Sequence, residues 1–212
     1  MPSNKKRLNN AKLYLILDTQ VLNYHRLLNV LKESVRFGID VVQLRDKFGK
    51  PEDILLFSQK ALRITKGKIP FILNDRVDLA RITKADGVHL GQDDISCQDA
   101  RKILGPKAII GVSCQTEAHV KQAQRDGADY VGFGSVFKTL TKPERDPMDL
   151  KLLKRVIQTA NVPLFAIGGI NQNNVLQVVD CGVTRVAVCR DILLAKSPKD
   201  MIKGFKNILK GT

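Results

Sequence analysis

The chain has 212 residues, 43% hydrophobic and 26% charged, ordinary values that allow one domain with a full core and argue against disorder. No apolar run approaches the ~18 residues a membrane span requires, and the stretch after the basic start MPSNKKRLNNAK, LYLILD, is too short for an export signal; the expectation is a cytoplasmic protein with no membrane partner. A net charge of +14 favours acidic partners, but a chain with no Trp and 5% aromatics lacks the stacking surface of a single-strand binder, so phosphorylated small molecules are expected and specific nucleic-acid binding is not.

In chain order, the first dozen residues read as a flexible basic tail, leaving residues 13–212 as the folded domain. Eight short β-rich runs follow, LYLILD, VVQLRD, PFILND, GVHLG, AIIGVS, YVGFGS, PLFAIGG and RVAVCR, each trailed by a stretch with helical spacing. Strands buried on both faces and joined by crossover helices make a parallel sheet, and eight such units predict a closed (β/α)8 barrel of the TIM type, with an open doubly wound sheet as the alternative. The Lys-rich end KGFKNILKGT is a second candidate for disorder. The one long loop runs from Val136 to Pro147, and loops of that length in a compact domain are usually functional.

Barrel enzymes work at the carboxyl ends of their strands. Strand two ends in Gln43, Arg45 and Lys47, which alternation places on one side. They read either as a grip on an anion or as partners of neighbouring carboxylates. Asp75 closes strand three after Asn74, and Asp94 follows strand four. Two carboxylates on adjacent strands suit Mg2+, which is held by one or two carboxylates plus substrate oxygens; the competing reading is that each Asp, and Asp93 more readily than Asp94, caps the next helix. Asp86, by contrast, precedes strand four and belongs to the opposite, structural face.

Ser113 ends strand five, Thr139, Thr141 and Lys142 lie in the long loop, and Gly168-Gly169 follow strand seven. Thr139, Thr141 and Lys142 offer hydroxyls and a cation suited to a phosphate, or are ordinary loop residues, while Gly168-Gly169 let backbone N–H groups approach a phosphate at strands seven and eight, its usual place in barrels. His89, inside strand four, is by itself a core histidine as readily as a ligand. Cys97, Cys114, Cys181 and Cys189 show no metal-ligand spacing and read as reduced structural thiols.

The blocks VQLRDK, NDRVDLA, ADGVHLGQDD, GVS, ADYVGFGSVFKTLTK and AIGGI, in this order and spread from LYLILD to RVAVCRDIL, closely resemble the thiamine phosphate synthases. The resemblance implies a transferase of thiamine biosynthesis, an enzyme that joins hydroxymethylpyrimidine diphosphate to hydroxyethylthiazole phosphate through a pyrimidine cation and releases diphosphate. It implies Asp75 and Asp94 as Mg2+ ligands. Arg45, Lys47, Asn74, Ser113 and Lys142 fall at the diphosphate and pyrimidine contacts, with Gln43 beside them and His89 near the pyrimidine. Thr139, Thr141 and Gly169 fall at the thiazole phosphate, and of the set Arg45, Lys47, Ser113 and Lys142 are the expected catalytic groups. A homo-oligomer is compatible with the resemblance.

Three positions depart from the family pattern. Cys114-Gln115 stands where a His is common, and Gln115 cannot do the acid–base work of the related thiazole tautomerase. Ser135-Val136 replaces a proline before the long loop. Cys189-Arg190-Asp191 replaces a Val-Ser stretch that meets the thiazole phosphate, so that Arg190 either grips that phosphate itself or bridges to Asp191 or a neighbouring loop. Rival readings are a sugar-phosphate isomerase type of barrel, which needs a general base and no Mg2+, and a non-catalytic binder of a phosphorylated ligand.

Overall fold

The computed structural model describes residues 3–65, 67–141 and 146–211. The elements run α1 (Asn4–Asn10), β1 (Leu13–Asp18), α2 (Tyr24–Arg36), β2 (Val41–Arg45), α3 (Pro51–Thr65), β3 (Phe71–Asn74), α4 (Val77–Thr83), β4 (Gly87–Leu90) and α5 (Cys97–Leu104). They continue with β5 (Ile109–Cys114), α6 (Glu117–Arg125), β6 (Tyr130–Phe133), α7 (Leu150–Thr159), β7 (Leu164–Ile167), α8 (Val175–Val179), β8 (Val186–Val188), α9 (Arg190–Leu193) and α10 (Pro198–Lys210). All neighbouring strands pair in parallel, and β8 returns to β1 through Leu13 opposite Val186 and Leu15 opposite Val188, closing an eight-stranded barrel. Each predicted strand run overlaps one of these strands, with β5 running one residue further to Cys114, and the open-sheet alternative is excluded by the β1–β8 pairing.

Alternation sorts the strand residues into two cores. Leu13, Leu15 and Leu17 of β1 and Val42 and Leu44 of β2 face outward and pack under the helices with Leu27, Phe57, Val156 and Phe205. Tyr14, Ile16, Val41, Ile72, Ile109, Tyr130 and Phe165 face inward and fill the barrel. The helix starts are local: Asn23, Ser96, Thr116, Asp149 and Ser197 each accept a bond from a backbone N–H of the first turn, the usual work of an N-cap side chain.

Both ends of the chain differ from expectation. Instead of a flexible tail, residues 4–10 form α1, capped by Ser3, and Leu8 is fully buried in the inner core beneath Tyr14. Lys5 pairs with Asp129 at 2.7 Å, the Asn4 amide bonds Asp86, and Arg185 donates to the Asn9 carbonyl at 3.0 Å. Asp86 also accepts from the Phe71 N–H at 2.8 Å, which puts it on the amino-terminal face as expected. Polar composition hid the single Leu that plugs the barrel floor. The Lys-rich carboxyl end likewise forms α10, with Phe205 and Leu209 buried and Lys206 bonded to Gly38 and Asp40.

Because Leu8 fills the floor of the barrel, Leu8→Ala is expected to lower stability by about 2–5 kcal/mol through lost burial and a residual cavity. Urea unfolding measures it, and a cost near zero would mean that α1 detaches freely from the barrel.

Candidate active site

At the carboxyl ends of the strands the barrel opens into a cavity of about 290 Å³. Gln43, Arg45, Asn74, His89 and Ser113 line it from β2 to β5, while Thr139, Thr141, Gly169 and Arg190 line it from the loops after β6 and β7 and the end of β8. Lys47, Asp75 and Asp94 stand together beside this cavity rather than lining it. Lys142 lies outside the described residues.

The cations of strand two are paired with carboxylates, the second of the two readings open from sequence. Arg45 Nη1 donates to Asp18 Oδ2 and to Gln20 Oε1, both at 2.8 Å. Asp18 and Arg45 are directly opposite in the β1–β2 register, and both are buried. Nη1 makes both of these bonds, and among the described residues no other nitrogen of this guanidinium has a partner, so the rest of the fork is available to an anion in the cavity. Asp18, Gln20, Tyr14 and Tyr130 were not singled out from sequence. Asp18 carried a usable signal, since it ends β1 in phase with the inward residues Tyr14 and Ile16.

Lys47 Nζ bonds Asp75, and the Asp75 and Asp94 carboxyl groups are themselves in hydrogen-bond contact. Neither caps a helix. Ser96 caps α5, and α4 begins after Arg76 without a side-chain cap, which removes the capping reading for Asp75, Asp93 and Asp94. Instead Asp94 Oδ2 accepts from the Gly91 N–H at 2.7 Å, folding the turn back toward the strand end. Asp75 sits at φ 60°, a left-handed conformation that costs a non-glycine residue about 1–3 kcal/mol; its N–H is tied to the His89 carbonyl at 2.9 Å. The strain and the strand-to-strand bond together aim the carboxylate at Asp94.

Burial raises the Asp75 titration above the ordinary Asp value, and the facing Asp94 raises it further against the opposing pull of Lys47. Two carboxylates held close together repel one another when both are ionised, and a hard cation relieves that repulsion. Among the described residues no three His, Cys, Asp or Glu side chains converge. A Mg2+ ion here would therefore take the Asp75–Asp94 pair and complete its shell with water and substrate oxygens. The pair fits such an ion.

On the opposite wall, the loop after β6 packs tightly over the glycines after β7. Val136 and Phe137 donate to the carbonyls of Ile167 and Gly168 at 2.9 and 3.0 Å. Gly169 has φ 63°, and a Cβ there would come within 2.4 Å of the Lys138 carbonyl oxygen. Only glycine lets the two loops meet. Thr139 and Thr141 line the cavity together with Cys189 at the end of β8.

Arg190 begins α9 and lines the cavity. The Asp191 carboxylate accepts from the Gln172 N–H at 3.0 Å. The Arg190 side chain makes no ion pair or hydrogen bond with a described residue, so the bridge to Asp191 considered from sequence is absent. Burial pushes the thiols of Cys114 and Cys189 up to about 12. Neither is poised to be a thiolate nucleophile.

A closed parallel barrel with cations, hydroxyls and a carboxylate pair gathered at its carboxyl-terminal mouth defines a phosphate-handling (β/α)8 enzyme. Comparison with known proteins narrows the class. The family model for thiamine monophosphate synthase matches residues 13–192. The thiamine-phosphate synthase of Methanobrevibacter smithii is 39% identical over 202 residues, covering 93% of this chain and 96% of that protein. That of Clostridium acetobutylicum is 38% identical over 200 residues, covering 94% and 95%. Among solved structures, thiamine phosphate pyrophosphorylase from Pyrococcus furiosus superposes with a TM-score of 0.87 at 29% identity over 96% of this chain and 98% of its own. Orotidine 5'-phosphate decarboxylase from Pyrococcus horikoshii, at 13% identity and TM-score 0.68, shares the fold. The chain belongs to the thiamine monophosphate synthase family.

A carboxyl whose folded titration lies above its unfolded one favours folding at low pH, and that contribution is lost as pH rises through the raised value. Removing the facing charge should reverse the loss. In metal-free buffer Asp94→Asn is expected to raise the melting temperature at pH 7 above wild type, with the gain shrinking as pH falls through the raised Asp75 titration toward about 4. It should also lower the Asp75 titration followed by NMR. An unchanged Asp75 titration would mean the two carboxyl groups do not sense each other.

Proposed function

We propose that this protein couples hydroxymethylpyrimidine diphosphate to hydroxyethylthiazole phosphate, releasing diphosphate and giving thiamine phosphate, and that it does so with Mg2+. The observation that carries the reading is the division of one mouth into two anion grips: Arg45, Lys47 and Ser113 beside the Asp75–Asp94 pair, and Thr139, Thr141, Gly169 and Arg190 across the cavity. The reaction requires two phosphorylated substrates side by side. Family membership supports the same pair.

Departure of diphosphate leaves a pyrimidine cation and builds negative charge on the leaving oxygens. Preorganised donors lower that barrier, because a site already polarised for the charge need not reorganise when it forms. Arg45 is held in place by Asp18 and Gln20 and lines the cavity. Lys47 adds a point charge, and Ser113 a hydroxyl. Asp75 and Asp94 would hold the Mg2+, which would supply further positive charge against the diphosphate oxygens. Lys142 completes the diphosphate contacts, on the strength of the family pattern.

The thiazole ring nitrogen then attacks the pyrimidine methylene, and no side-chain nucleophile is needed. Its phosphate lies against the Gly169 backbone, the two threonines and Arg190. Arg190 takes the place of the hydroxyl-bearing stretch common in the family, and a planar guanidinium can bind two phosphate oxygens at once. Asn74 and Gln43 meet the pyrimidine.

Incubating the protein with both substrates and Mg2+ tests the reading: thiamine phosphate and diphosphate are expected in equal amounts. Asp75→Ala and Asp94→Ala are each expected to lower turnover about 100-fold or more. Full turnover without a divalent cation would refute the metal assignment. Arg190→Ser should raise KM for the thiazole phosphate about tenfold, the scale of a lost charge-assisted bond. A change confined to KM for the pyrimidine substrate would place Arg190 in the other subsite.

A further inference from the structure

Below the mouth, five polar side chains from different strands form an unbroken chain of hydrogen bonds through the barrel interior. Gln43 Nε2 lies 2.9 Å from Tyr14 OH, Tyr14 OH 2.8 Å from Tyr130 OH, Tyr130 OH 3.0 Å from His89 Nδ1, and His89 Nε2 2.9 Å from Ser113 Oγ. The apolar surroundings are tight. Tyr14 and Tyr130 are each packed edge-on against Phe165, with ring centroids 5.3 and 5.7 Å away. Gly111 is open to Tyr130 because a Cβ there would come within 2.0 Å of its ring.

The direction of this chain follows from donor chemistry. An amide nitrogen carries protons and accepts none, so the Tyr14 oxygen accepts from Gln43. A buried hydroxyl proton needs an acceptor, and the oxygen that Tyr14 reaches is Tyr130's. The Tyr130 proton then goes to His89 Nδ1, which must be the unprotonated ring nitrogen. His89 consequently carries its proton on Nε2 and donates to Ser113 Oγ. With that lone pair taken, the Ser113 O–H turns toward the cavity that Ser113 lines. Burial holds both tyrosine hydroxyls well above their ordinary titration range, so they stay protonated throughout.

We propose that Tyr14 and Tyr130 are positioning residues which transmit the one-way donor at Gln43 to His89, fix its Nε2–H form, and aim the Ser113 hydroxyl proton at an anion in the mouth. This rests on the reading of Ser113 as a contact to the diphosphate. A donor fixed before the substrate arrives is worth more than one that must rotate, because the charge on the leaving oxygens meets it already aligned.

Two-bond 1H–15N correlation of histidine-labelled, substrate-free protein reads the tautomer directly. Wild type is expected to show His89 with a pyrrole-type Nε2 and a pyridine-type Nδ1. Tyr130→Phe keeps the ring and cuts the chain; the single Nε2–H pattern should be lost and kcat should fall about tenfold, the usual effect of removing an orienting partner, with KM for the thiazole phosphate unchanged. Gln43→Glu replaces the one-way donor by an acceptor and should reverse every bond, moving the His89 proton to Nδ1. Should that variant fail to fold, wild type and Tyr130→Phe still decide. A wild-type His89 protonated on Nδ1 overturns the proposal, and so does a Tyr130→Phe protein with wild-type spectrum and kcat. The Nε2–H pattern in a protein that does not couple the substrates supports the wiring and refutes the reading of the diphosphate contact instead.

Discussion

Pairing of β8 with β1 is the constraint from which the rest of this molecule follows. Once the sheet closes, every second residue of each strand points into an interior only a few side chains wide, and residues far apart in sequence become neighbours. Tyr14 and Tyr130, 116 positions apart, share a hydrogen bond for this reason alone. Closure also divides the core by depth. Apolar and aromatic groups fill the floor above Leu8, a polar layer of Gln43, His89 and Ser113 lies over them, and the charged groups stand at the mouth.

That layering places charge where water thins out but does not vanish. Asp18 and Arg45 are buried together at the edge of the polar layer. A buried ion pair is weak evidence for stability, since desolvation offsets most of its attraction; its effect here is to hold a guanidinium rigid. Farther out, Lys47 bonds Asp75, and Asp94 lies close enough to raise the Asp75 titration.

The two halves of the mouth are built differently. The wall proposed to hold the diphosphate is anchored on strands, so its side chains inherit the rigidity of the barrel. The wall proposed to hold the acceptor phosphate is made from the loop after β6, the glycines after β7 and the start of α9, where the loop and the glycines pack on one another through backbone contacts. Substitution is easier to accommodate there. The Cys189-Arg190-Asp191 stretch, where this chain departs from its family, lies on that side. No helix among the described residues is long and apolar enough to cross a membrane.

Much of this was legible in the chain itself. Eight apolar runs with helical stretches between them determined the barrel, because strand period and buried length are local properties of sequence, and polar residues at run ends marked Gln43, Arg45, Asn74, Asp75 and Ser113 as rim groups. Motif order determined the family. What tertiary structure alone decided is partnership: that Arg45 binds Asp18, that Lys47 and Asp94 converge on a strained Asp75, that Asp191 turns to Gln172 and leaves Arg190 facing the cavity. It also decided the fate of the first residues, where one Leu among polar neighbours forms a plug that no local pattern distinguishes from a tail. The physical reason is common to all of these. Local sequence sets which way a side chain points, but only closure of the barrel sets what it meets.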